Sequence, residues 1–197
     1  MEARSEEGHH LAFSSDADGG ISLADEVTIV LATSFIEACP ATNLIEAVVE
    51  SFGFVPGLDA CRLVVVCDGY LLSTHRRTKA GRLIADDEAP YAAYIAALRA
   101  LAGAPGARGA WAHASVLALD GHQGFSWAIK AALESGLVET RHVLVVQHDR
   151  SFMRSFDLAR AVRVMRADER VRRCRRSSEE FRRHSSCFFL CPCWVPQ

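Results

Sequence analysis

The sequence lacks a long apolar run. The longest such runs, residues 27–32 and 143–147, have the length of a β-strand, whereas a membrane-spanning helix needs about 20 consecutive, mainly apolar residues. Residues 1–20 also lack the basic segment and following apolar segment that are typical of a secretory signal. We therefore predict a soluble, cytoplasmic protein with no transmembrane segment.

A paired cysteine framework is also missing. The chain has seven cysteines, an odd number, and Cys39, Cys61 and Cys67 lie in or beside apolar segments. Small domains that depend on disulfides carry an even number of cysteines at regular spacing. We therefore expect reduced thiols, in agreement with a cytosol-like compartment.

Net charge gives little information, but its distribution is uneven. The formal net charge is -2, with acidic residues concentrated in residues 1–26 and arginine in residues 150–183. Residues 1–26 are predicted to be a disordered lead-in because they combine charge with few apolar residues. Where one sign of charge is concentrated at the end of a chain, a nucleic-acid partner is a possible explanation.

The tail at residues 170–197 differs abruptly in composition from the rest of the chain. It is rich in arginine and cysteine, and we interpret it as a non-native continuation. An arginine-rich nucleic-acid binder is the weaker alternative, since the segment fits no RNA-binding module. Zinc binding has the right residue types but no paired C-x-x-C spacing to support it; those residues are His184, Cys187, Cys191 and Cys193.

What the sequence does contain is an alternation of strand-like and helix-like segments. Four apolar runs predict buried strands, at residues 27–32, 63–67, 114–119 and 142–147. Apolar residues at offsets of three and four predict helices at residues 42–54, 87–102 and 125–135, and an amphipathic helix at 153–169. The alternation predicts an α/β three-layer sandwich with a mainly parallel sheet, in one main domain over residues 27–152.

Polar residues follow the predicted strands at the points where ligands collect in open α/β sheets. Thr33 and Ser34 follow the first strand, and Asp68 with Gly69 follows the second. A carboxylate there can accept hydrogen bonds from a ribose or a base, and a glycine lets a ligand approach the backbone. Asp68-Gly69 is equally a common turn sequence, and this alternative stays open.

The third strand is followed by residues 120–124, DGHQG, and then by a helix. Free N–H groups at the start of a helix can receive a phosphate. The segment matches neither a Walker loop nor a G-x-G-x-x-G fingerprint, so an ordinary glycine-rich connection is the alternative.

The fourth strand ends in Gln147, His148 and Asp149. The Asp149 carboxylate is a hard oxygen ligand of the kind that magnesium and manganese bind together with substrate phosphates. His148 could be a further ligand, a substrate contact or an ordinary loop histidine.

In their order, these motifs resemble the A-type, family-2-like nucleotide-sugar glycosyltransferases. The matching segments are VTIVLATSF, LVVVCDGY, GHQGFSWAIKAAL and VLVVQHD, and the resemblance covers about residues 27–152. It implies a nucleotide-diphospho-sugar transferase-like, Rossmann-like fold that binds a nucleotide sugar and transfers the sugar to a glycan, lipid or protein acceptor.

The resemblance also implies roles for individual residues. Thr33 and Ser34 would line the base pocket, and Asp68 beside Gly69 would contact the base or the ribose. Gln123 and Gly124, at the start of the following helix, would lie near the ribose and diphosphate.

For the metal, the resemblance implies that Asp149 holds Mn²⁺ or Mg²⁺ on the diphosphate. Gln147 stands where many members carry the first acid of the Asp-x-Asp motif, so it would be a weaker ligand, as would His148. An amide oxygen can still coordinate the cation, but it brings no charge.

The sequence nominates no catalytic base. The stretch after Asp149 is short for the acceptor half of such enzymes and has no persuasive strand pattern, so we expect a truncated, donor-binding half and leave its activity open. The alternative is a non-catalytic Rossmann-like nucleotide-binding or interaction domain.

Overall fold

The computed structural model of the chain describes residues 21–74 and 81–167. Most of the predicted lead-in and the whole arginine-rich and cysteine-rich tail at residues 170–197 lie outside these ranges. The helices and strands follow in the order α1 (Leu23–Glu26), β1 (Val27–Thr33), α2 (Asn43–Glu50), β2 (Arg62–Cys67), β3 (Leu71–Leu72), β4 (Arg82–Leu83), α3 (Ala85–Leu101), β5 (Ala114–Ala118), α4 (Phe125–Glu134), β6 (His142–Gln147) and α5 (Leu158–Ala167).

The four predicted strands form one sheet in the order β5-β2-β1-β6. Every pair of neighbours is parallel, which confirms the predicted parallel sheet. The inner strands β1 and β2 are almost completely buried, as their continuous valine-rich and leucine-rich runs predict. A second, two-stranded ribbon of β3 and β4, also parallel, was not predicted.

Helices cover both faces of the sheet. Side chains alternate along each strand, so Ile29 and Leu31 face a core with α2, α3 and α5, whereas Val30 faces a core with α4. The second core includes Ala128 and Ile129 of α4. The predicted α/β three-layer arrangement is therefore confirmed.

The longest described helix, α3, begins in an acidic turn. The Ile84 N–H donates to the Asp87 carboxylate at 3.3 Å, and Asp86 and Glu88 place further negative charge at the positive end of the helix dipole. Within residues 21–74 and 81–167, no helix is both long and apolar enough to cross a membrane.

The last described helix begins at Leu158, whereas the sequence predicted a helix from residue 153. Phe152 is buried and its ring packs edge-on against Phe52, with 6.0 Å between ring centroids. The Phe152 N–H also donates to Ser51 Oγ at 2.9 Å. These contacts hold the chain in a non-helical connection, and α5 starts only where Asp157 accepts the Arg160 N–H at 2.8 Å.

The predicted lead-in at residues 1–26 is wrong at its end. Residues Leu23–Glu26 form the short helix α1, and the Leu23 side chain is buried in the core. The Glu26 carboxylate accepts a hydrogen bond from Arg166 of α5 at 3.0 Å. Tertiary contacts therefore order this segment in spite of its acidic composition.

Two of the cysteines are expected to be unreactive in the folded protein. Cys61 and Cys67 have no exposed surface, and burial raises the pKa of each thiol to about 12. Since the thiolate is the nucleophile, iodoacetamide at mildly alkaline pH should leave both unmodified until the protein is denatured. Peptide mass spectrometry measures this, with the partly exposed Cys39 as the accessible comparison. Rapid labelling of native Cys67 would contradict the burial.

Candidate functional site

The strand order creates a switch point between β1 and β6. From β1 the chain first adds β2 and β5 on one side, and only β6 lies on the other side. Connections on the two sides of such a point leave the sheet in opposite directions, which opens a crevice outside the carboxyl ends of the strands. Ser34 directly follows β1 and Asp149 is the second residue after β6, so two predicted site residues lie beside this switch point.

Backbone hydrogen bonds continue the pairing just past the strand ends. The Asp68 N–H donates to the Thr33 carbonyl at 2.9 Å, and the His148 N–H donates to the Ala32 carbonyl at 3.2 Å. Extending the register by one residue places Ser34 level with Asp68, whereas β6 ends at Gln147, which pairs with Ala32, and Asp149 follows in the turn after it. Neighbouring strands lie about 5 Å apart, so the backbones of Ser34 and Asp68 lie about one strand spacing from each other.

The Asp68 side chain lies against the start of α4. Its side chain is nine-tenths buried, and its carboxylate accepts the Gln123 N–H at 2.8 Å and the Gly124 N–H at 3.0 Å. The helix dipole and the free amides at this position favour a negative charge. The sequence predicted that all three residues contact a nucleotide; in the structure they contact each other.

His122 is a site residue that the sequence reasoning did not single out. Its Nδ1 lies 2.8 Å from the nearer Asp68 carboxylate oxygen, an ion-pair distance, although the contact lacks hydrogen-bond geometry. About a quarter of the side chain, 28 %, is exposed. The signal that could have found it is its place in DGHQG, a glycine-containing connection between a predicted strand and a predicted helix.

Gly69 lets the protein's own backbone approach. A Cβ atom at Gly69 would lie 2.4 Å from the Gly121 carbonyl carbon, far inside contact distance. Gly81 has a φ of +77°, and a Cβ there would lie 2.1 Å from His122 Nδ1. The close approach expected at Gly69 is therefore made here by the connection after β5.

Two tyrosines of α3 form hydrogen bonds with residues at the ends of β1 and β2. The Tyr91 hydroxyl donates to the Asp68 carbonyl, and the hydroxyls of Tyr94 and Thr33 share a hydrogen bond of 2.9 Å. Burial raises the pKa of both tyrosines, that of Tyr94 to about 12, so both remain neutral. Thr33 is itself 3 % exposed, so among the two residues predicted to line the base pocket only Ser34 reaches the surface.

The end of β6 turns sharply. The Arg150 N–H donates to the Gln147 carbonyl at 3.1 Å, so His148 and Asp149 form the corner of a turn. Burial lowers the pKa of His148, an effect that the nearby Asp149 partly opposes, and the neutral imidazole is the form that binds a metal. The Asp149 carboxylate is half-exposed, with Arg150 Nε 3.9 Å away.

The donor set at this turn is compatible with a cation but sparse. Asp149 offers a carboxylate, Gln147 an amide oxygen and His148 an imidazole, all of which manganese accepts. Across the described ranges, no group of three or more histidine, cysteine or acidic side chains is placed to hold a metal ion. Metal binding at Asp149 therefore stays a prediction in which phosphates or water complete the coordination.

The sheet order and the two helical layers define an α/β domain that is compatible with a Rossmann-like fold. Comparison of the chain with protein-family models, with curated proteins and with solved structures gave no match. The nucleotide-diphospho-sugar transferase-like fold stays a prediction that rests on the order of the motifs.

Proposed function

We propose that the carboxyl edge of this sheet binds a nucleotide-diphosphate sugar with a divalent cation, and that the protein is glycosyltransferase-like. The observation that carries the proposal is the switch point between β1 and β6, with Ser34, Asp68 and Asp149 just beyond the carboxyl ends of β1, β2 and β6. Nucleotides bind in the crevice at such points in open α/β sheets.

In the proposed complex, the parts of the ligand lie one after another along this edge of the sheet. Ser34 lines the base end, while the connection at residues 120–124 and the start of α4 face the ribose and diphosphate. Asp149, with Gln147 and His148 as weaker ligands, would hold Mn²⁺ or Mg²⁺, which would supply positive charge to the diphosphate. A cation in that position would stabilise the leaving nucleoside diphosphate when the sugar passes to an acceptor, whether glycan, lipid or protein.

Calorimetric titration with UDP-sugars in the presence of Mn²⁺ tests the proposal. Replacing Asp149 with alanine should lower the affinity at least about tenfold, the size of effect seen when groups that tune a metal site are removed. It should also abolish the dependence of binding on Mn²⁺, because the carboxylate at the strand end is lost.

Asp59 provides a matched control for this experiment. It is an exposed aspartate in the short 3₁₀ helix Leu58–Ala60 before β2, near the amino ends of the strands. Asp59→Ala should bind like the wild type. If the wild type binds no nucleotide diphosphate or nucleotide sugar, with metal or without, the proposal is wrong.

The second candidate is a non-catalytic Rossmann-like nucleotide-binding or interaction domain. Two observations favour it: Gln147 replaces the first acid of the metal motif, and the Asp68 carboxylate is bound by the protein's own amides. A wild-type affinity in Asp149→Ala, together with no release of sugar from any bound nucleotide sugar, would favour this candidate over the transferase.

A further inference from the structure

We propose that Asp68 is a positioning residue, which fixes residues 120–124 in the shape that receives a nucleotide and does not itself read the base. This inference rests on the proposed function, and it changes the role that the family resemblance implies for Asp68. The carboxylate acts through the backbone of the neighbouring connection.

The hydrogen bonds of the Asp68 carboxylate carry the first step. One oxygen accepts from Gln123 and the other from Gly124, and the second oxygen also lies 2.8 Å from His122 Nδ1. An ionised carboxylate can only accept hydrogen bonds, so to read a base it must turn an oxygen toward the ligand. The Asp68 side chain is nine-tenths buried and turns both oxygens toward the protein.

The Asp68 backbone is fixed as well. Its N–H donates to the Thr33 carbonyl at 2.9 Å, and its carbonyl accepts from the Tyr91 hydroxyl. Tyr91 is buried and packs edge-on against Phe35, with 5.6 Å between ring centroids. Asp68 is therefore held by the sheet and by α3 while its side chain holds the start of α4.

Two glycines allow close contacts with the connection after β5. Gly69 lies against the Gly121 backbone and Gly81 against the His122 ring, each closer than any other residue type would allow. The connections after β2 and β5 thus form one unit, with the Asp68 carboxylate as its central polar contact. Loss of that carboxylate should free residues 122–124 without disturbing the sheet.

Asparagine separates positioning from base reading. Its side chain has the size of aspartate but only one acceptor oxygen, so its NH₂ group must face one of the two backbone N–H groups. If Asp68 positions the connection, Asp68→Asn should speed amide hydrogen exchange at Gln123 and Gly124 at least tenfold. The affinity for UDP and the affinity for ADP should fall by equal factors, so the ratio of the two affinities should stay as in the wild type.

Asp59→Asn is the control, because Asp59 is an exposed aspartate outside this connection; it should exchange and bind like the wild type. A measurement on the wild type tests the inference even if the variant does not fold. Bound UDP should slow amide hydrogen exchange at Gln123 and Gly124.

Three results would overturn the inference. The first is a changed UDP-to-ADP ratio in Asp68→Asn with wild-type exchange at Gln123 and Gly124, since Asp68 would then read the base. The second is faster exchange with unchanged affinities, and the third is exchange in the wild type that does not respond to bound UDP. Failure of the wild type to bind any nucleotide is a different result, which removes the proposed function itself.

Discussion

Replacing Gly69 with alanine is expected to destabilise the protein by about 3 kcal/mol, at the upper end of the usual cost of overpacking. The new Cβ would lie 2.4–2.5 Å from three backbone atoms of Gly121. A flexible side chain could move aside, but these atoms belong to a connection that Asp68 also holds. Urea unfolding, followed by circular dichroism, measures the loss as a lower midpoint.

Gly121 is a matched control for this substitution, because it is the other member of the same contact. A Cβ at Gly121 meets no atom within 4 Å, and its φ is not positive. Gly121→Ala should therefore change the free energy of unfolding by less than about 0.5 kcal/mol. Equal effects from the two substitutions would contradict the geometry of this contact.

Leu63→Ala should have a comparable or larger effect, a loss of about 3–5 kcal/mol. Leu63 lies in the inner strand β2, has no exposed surface and belongs to the core beneath α2 and α3. Truncation removes apolar contacts and leaves a cavity that an inner strand, paired on both sides, cannot close by moving. Chemical denaturation gives the free energy directly.

Leu72→Ala makes the same chemical change on the β3 and β4 ribbon, where Leu72 is 61 % exposed. Its effect should stay within about 0.5 kcal/mol. If Leu63→Ala were as mild as Leu72→Ala, the placement of β2 in the middle of the sheet would be wrong.

The sheet could be predicted because its signal is local. Strands buried on both faces consist of continuous apolar residues, and all four runs, from VTIVLA to HVLVVQ, became strands with ends shifted by at most one residue. The same parallel strands require helical crossovers, which explains why the helices on both faces were predicted too.

Contacts between distant segments were not predictable. Asp68 and Gly124 are separated by 56 positions in the sequence, and nothing local indicates that one binds the amide of the other. The helix predicted from residue 153 starts later because Phe152 packs against a phenylalanine of a far earlier segment. The sequence named residues that follow the strands at this edge of the sheet but could not show which of them contact each other.

The position of β6 has a consequence for synthesis of the chain. Val27, the first residue of β1, pairs with His142, the first residue of β6. One edge of β1 therefore stays unpaired until the ribosome has synthesised β6. Until residue 147 has emerged, the nascent chain carries a buried-type strand with an open, apolar edge, the kind of surface on which partly folded chains aggregate. The last described strand thus completes the switch point and, in the same step, covers this open edge.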